Sequence, residues 1–167
     1  MLTGNPGFGT PLERVARVEQ CSDFHCVTTW TRRALHWRGV RFAGFYQQVV
    51  VPLAAPSPEL TFVVLRGQDG ARTCLPLDDL LAPDVLLADR LDVEPLSIEH
   101  GAPLRLVAAA HYGYKSVKHL NRIELWGGSA NYRPYGLRFM VYPRAGSPSK
   151  SAVSGCPAGC CASPTAH

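Results

Sequence analysis

No stretch of this 167-residue chain is apolar for long enough to cross a bilayer as a helix. No lysine-rich run appears either. The arginines are scattered and the net charge is only +4, which suits a site for an anion but argues weakly for nucleic acid. The opening MLTGNPGFGT has no basic n-region, no apolar h-region and no twin arginine. Nothing there marks the chain for export, so a cytoplasmic location with reduced thiols is expected. There is no G-x-G-x-x-G opening a helix, no P-loop and no H-E-x-x-H. That removes the common dinucleotide, nucleotide-phosphate and zinc-protease signatures. No internal repeat is visible.

What is present is a globular composition, 46% hydrophobic and 18% charged, of a length that suits one domain. Residues 1–12 are rich in Gly and Pro and read as an unstructured lead. Residues 13–142 read as the domain, and 143–167 as a flexible tail bearing Ser, Pro, Gly and Cys. The six cysteines divide accordingly. Cys21, Cys26 and Cys74 lie in patterned sequence, whereas Cys156, Cys160 and Cys161 lie in the tail, at a spacing that matches no common zinc site.

Short apolar runs dominate the domain. LERVARVEQ reads as a strand or a short helix, Gly39 to Phe42 as a short strand, and Phe45 to Val50 as a helix ended by Pro52. LTFVVLRG and ARTCLPL, separated by the turn signal QDG, read as a hairpin. LDDLLAPDVLLADRLD holds a helical turn and an apolar segment, and PLRLVAAA is a further strand. Many strands with few long helical patterns predict a mixed, strand-rich α+β domain.

Three constellations could carry chemistry. In DFHCVTTWTRRALHW, Cys26 is a buried hydrophobe, half of a disulfide, a nucleophile or a metal ligand. His25 is poorly placed to activate it, because adjacent strand residues point to opposite faces. In EHGAPLRL, Gly101 and Pro103 impose a turn, and His100 and Arg105 are spaced to hold one anion. In AHYGYKSVKHLNR, Gly113 permits a tight turn. Lys115, Ser116 and Lys118 with free backbone N–H groups would then make a phosphate cradle. A solvated loop arginine is the commoner explanation of EHGAPLRL, and a solvated basic loop explains AHYGYKSVKHLNR equally well.

Taken in order, CVTTWT with WRGVRF, then DGARTCLPLDDLL, then HGAPLRLVAAAHYGYKSVKHLNRIEL resemble the molybdopterin-binding domain of the sulfite oxidase family of molybdenum oxidoreductases. They look closer to the bacterial branch that includes the methionine-sulfoxide reductase catalytic subunit. The resemblance spans roughly residues 20–127. It implies a mixed α+β fold around molybdopterin, with the Cys26 thiolate as the one protein ligand to molybdenum. It implies that His100, Arg105, Lys115, Ser116, Val117 (through its backbone) and Lys118 line the pterin and its phosphate. It further implies two-electron oxygen-atom transfer on a small substrate such as sulfite, a sulfoxide or a similar oxyanion. Arg32 and Arg33, close after Cys26, are candidates to attract that substrate; surface salt-bridging is the plain alternative.

The chain also departs from the family pattern. Cys26 stands unusually near the start, no dimerisation domain follows, and no C-x-x-C-H haem signature is present. A separate electron-transfer partner is therefore expected. A shortened domain, with an incomplete core edge and an exposed strand, is also expected. The alternative reading is a truncated or degenerate domain that binds pterin or a partner without turnover.

Overall fold

The computed structural model describes residues 11–128. A 3-10 turn at Pro11–Arg14, whose first two residues belong to the expected lead, leads into β1 (Arg17–His25). LERVARVEQ thus divides between a turn and a strand. The expected tail, with Cys156, Cys160 and Cys161, lies outside the described residues.

Strands form two sheets. The first runs β1, β2 (Thr31–Arg41), β5 (Val85–Leu91) and β6 (Glu94–Pro95), all antiparallel, with β7 (Arg105–Ala108) also paired to β5. The second runs β4 (Arg72–Pro76), β3 (Phe62–Gly67) and β8 (Leu120–Trp126). The β3–β4 hairpin is the one the QDG turn predicts, with Gly70 at φ +86° where a side chain would be strained. The strand expected at Gly39 to Phe42 is longer and earlier, spanning Thr31 to Arg41. Its first half is polar and exposed, so pairing with β1, rather than burial, makes it a strand.

Phe42 follows β2 directly into helical structure: α1 (Phe42–Phe45), a π turn (Tyr46–Val50) and α2 (Val51–Ala54). Phe42, Phe45, Tyr46 and Val49 form one buried stripe at helical spacing. The helix does not end at Pro52, as expected. The Val51 N–H reaches back to the Tyr46 carbonyl, and Pro52 falls in the first turn of the new segment, where a missing N–H costs little. Ala55, at φ 40°, closes it.

The core has two layers, one on each side of the first sheet. Val85 and Leu87 of β5, with Leu106 and Ala108 of β7, join the helical stripe and Val63, Leu65 and Leu75 of the second sheet. The alternate residues Leu86, Ala88 and Val107 face Trp37 and Leu96, with Phe24 and Leu35 packed alongside. A sheet buried on both faces explains the continuous apolar runs of β5 and β7. Arg105 projects into the second layer because it alternates with Leu106. The short α3 (Leu77–Leu80) links β4 to β5 and buries Leu80.

Candidate functional site

Cys26 sits immediately after β1, at the tip of the β1–β2 hairpin. Its N–H donates to the Trp30 carbonyl (2.9 Å), and its own carbonyl accepts the Thr29 N–H (3.1 Å). Thr29, at φ 75°, makes this tight turn. The Cys26 Sγ lies 3.1 Å from the Thr28 hydroxyl. That hydroxyl lowers the thiol's pKa first, and the backbone N–H groups of Thr28 and Val27 add to it. The His25 ring instead meets the Thr31 hydroxyl at 3.0 Å, so no Cys–His pair forms. Cys26, Cys21 and Cys74 are all free thiols, which removes the disulfide alternative among the described residues.

Arg32 and Arg33 are exposed on the outgoing strand, and neither forms an ion pair among the described residues. Arg32 pairs in register with Phe24. Arg33 lies at a bulge in which the Asp23 carboxylate accepts the Ala34 N–H (2.9 Å).

Arg105 is 4% exposed, and no carboxylate pairs with it among the described residues. It donates to the carbonyls of His100 (2.8 Å), Ser116 (3.4 Å) and Leu106 (3.5 Å). Its guanidinium carbon lies 5.3 Å from the Phe24 ring centroid and 5.0 Å from that of Trp37. Burial pulls its pKa down to about 10, which leaves it charged at neutral pH. A guanidinium has five N–H donors, so these bonds leave capacity for a ligand. The buried Trp37 indole N–H and Ser22 hydroxyl also have no partner among the described residues. A buried, carboxylate-free cation beside an orphaned donor fits an anionic group.

The other expected ligands are arranged differently from the simple cradle. The His100 ring is held by the Ser97 hydroxyl at 2.8 Å, so its link to Arg105 runs through its carbonyl. Lys115 lies in the 3-10 turn Gly113–Lys115, is 3% exposed, and donates to the Cys74 carbonyl (3.2 Å). Burial lowers its pKa and raises that of the Cys74 thiol. The Ser116 hydroxyl accepts the Ala108 N–H at 3.2 Å. The N–H groups of Lys115, Ser116 and Val117 are used within the turn, and the Val117 carbonyl accepts from Leu106. These amides are therefore not the free donors the spacing suggested. Lys118 is exposed, with its ammonium on the Glu99 carbonyl at 2.5 Å.

Phe24 and Trp37 lie inside DFHCVTTWTRRALHW but are not among its candidate site residues; their stacking on Arg105 is what marks them out. Among the described residues, no group of three or more His, Cys, Asp or Glu is arranged to hold a metal ion, and no helix is long and apolar enough to cross a membrane.

Comparison with known proteins identifies the family. Residues 10–131 match the family model described as the oxidoreductase molybdopterin binding domain. An uncharacterized oxidoreductase, YuiH, of Bacillus subtilis is 42% identical over 108 residues, covering 65% of this chain and 52% of that protein. The protein-methionine-sulfoxide reductase catalytic subunit MsrP of Gluconobacter oxydans is 31% identical over 124 residues, covering 64% of this chain and 38% of that one. The chain thus spans about half or less of these relatives' lengths. The sulfane dehydrogenase SoxCD of Paracoccus pantotrophus shares the fold, with TM-score 0.59 at 22% identity over 70% of this chain and 33% of that one. The strand-rich α+β fold and the sulfite oxidase-like resemblance are thereby borne out. The chain belongs to the oxidoreductase molybdopterin binding domain family, whose cofactor is molybdopterin carrying molybdenum.

Proposed function

We propose that this chain performs two-electron oxygen-atom transfer on a small oxyanion or sulfoxide, with Cys26 as the protein ligand to molybdenum. The observation that carries the reading is the pairing of two features. One is a partly exposed thiol just past the end of β1, its pKa lowered by the Thr28 hydroxyl, and the other is a buried cation with no carboxylate among the described residues, stacked on Phe24 of the same strand. One soft donor from the protein suits a metal whose other ligands belong to a cofactor.

The bound cofactor supplies the redox chemistry and the oxygen transfer. The chain's residues orient and charge the site. The Thr28 hydroxyl and the hairpin amides stabilise the Cys26 thiolate. Arg105 offers its remaining N–H groups to an anionic pterin phosphate, and the Trp37 indole offers another donor. His100 and Lys118 stand at the exposed rim, Ser116 braces β7 through Ala108, and Lys115 and Val117 fix the turn from inside. Arg32 and Arg33, unpaired among the described residues and close to Cys26, draw in an anionic substrate. Electrons pass to or from a separate partner.

The test is expression in a host that makes the cofactor, followed by molybdenum and pterin analysis and dye-coupled turnover with sulfite and with methionine sulfoxide. The wild type should hold molybdenum and pterin stoichiometrically and turn over one class of substrate. Cys26→Ser should lose turnover. Well-folded wild-type protein devoid of both molybdenum and pterin would sink the reading.

A further inference from the structure

Phe24 lies two residues before Cys26, and its half-buried ring has three neighbours from other elements. The Arg105 guanidinium stacks on it at 5.3 Å, and the Trp37 ring packs against it at 6.4 Å, tilted by 47°. The third neighbour is Gly113, which opens the turn carrying Lys115, Ser116 and Lys118. A Cβ on Gly113 would collide with the ring edge, lying 2.9 Å from Cζ and 3.1 Å from Cδ1. Gly113 is thus glycine for close approach, since no positive φ is recorded for it.

We infer that Phe24 is a positioning residue that locks the Cys26 end of β1 onto the Gly113–Lys118 turn, so that Cys26 and the Arg105 guanidinium, which the turn holds through the Ser116 carbonyl, reach one ligand as a single unit. β1 and that turn share no backbone pairing, since among the described residues β1 pairs only with β2. The ring packs directly on the turn, and Arg105, stacked on the ring, also donates to the Ser116 carbonyl. A misplaced ligand loses most of what a correctly placed one contributes, and packing of this kind is what holds it. The inference rests on the proposed role of Cys26 and Arg105.

The test compares wild type, Phe24→Leu, Gly113→Ala and the double variant by two readouts. The first is hydrogen exchange of the cofactor-free protein. Phe24→Leu should lose protection at Cys26 and Thr29 and at Lys115, Ser116 and Val117 together, while Val64 and Leu65 of β3 stay protected. Simple destabilisation would expose β3 as well. Should Phe24→Leu do so, Gly113→Ala, which displaces the ring instead of removing it, must show the selective pattern. The second readout is pterin retained per chain after expression in a cofactor-making host. Each single variant should retain about ten- to a hundredfold less than wild type. The double variant, in which the new methyl fills space the ring vacates, should recover part of the loss. Wild-type exchange and pterin content in both single variants would overturn the inference. Wild type without pterin would overturn the proposed function alone, and the exchange pattern would still decide whether the lock exists.

Discussion

Arg105 is the residue whose environment says most. A guanidinium at 4% exposure, with carbonyls and two aromatic rings around it and no described carboxylate, is costly to bury. An anion repays that cost, so Arg105→Gln should weaken pterin retention by about ten- to a hundredfold, as expected for a lost charge-assisted hydrogen bond. Arg105→Lys should not restore it. A point-like ammonium cannot bridge the His100 and Ser116 carbonyls while stacking on Phe24 and Trp37. Pterin fluorescence per chain reads both results, and unchanged content in Arg105→Gln would remove Arg105 from the site. The same residue shows the limit of spacing arguments. His100 and Arg105 were legible as a pair, but the contact runs through a carbonyl that every residue has.

At the scale of elements, the β3–β8 pair carries a titratable brace. The Arg66 fork donates to both Glu124 carboxylate oxygens, at 2.8 and 3.3 Å, and Arg122 stands 3.6 Å away. The hydrogen bond from Arg66 lowers the Glu124 pKa, with Trp126 and Arg122 assisting. A depressed carboxylate contributes stability above its unfolded pKa and loses it as pH falls through its folded pKa. Urea midpoints should therefore drop on acidification below the ordinary glutamate range, and Glu124→Gln should remove this component. The neutral-pH cost of that change should be about 1 kcal/mol. An equally steep acid dependence in Glu124→Gln would assign the effect elsewhere. The β3–β4 hairpin was legible from its QDG turn and the apolar runs on either side, whereas the β1–β2 hairpin was not. The extent of β2 was not, because its exposed half is held by β1, and neither was the helix passing Pro52, because the π turn moves the proline to a tolerated position.

At the scale of the whole molecule, the first sheet separates two cores and carries site residues at its edge. Cys26 follows the end of one strand and Arg105 begins another, with Phe24 and Trp37 in the second layer. A ligand spanning both should stabilise the entire fold, by about 2.7 kcal/mol at a hundredfold excess over its dissociation constant. Cofactor-loaded protein should therefore melt above cofactor-free protein, with the gap reduced in Cys26→Ser and Arg105→Gln. Equal melting temperatures for loaded and empty wild type would argue against a ligand bridging the two.

The sequence by itself determined the family and the strand-rich class, and offered candidates for the site, because turn residues, apolar alternation and the ordered blocks around Cys26, Arg105 and Lys118 are local signals. Only the tertiary structure decided which of those residues face one another. Lys115 turned inward to the Cys74 carbonyl, the turn amides were consumed by their own 3-10 geometry, and an unremarked phenylalanine came to rest against Arg105 and Gly113. These outcomes depend on packing between segments far apart in the chain, and no local pattern encodes them.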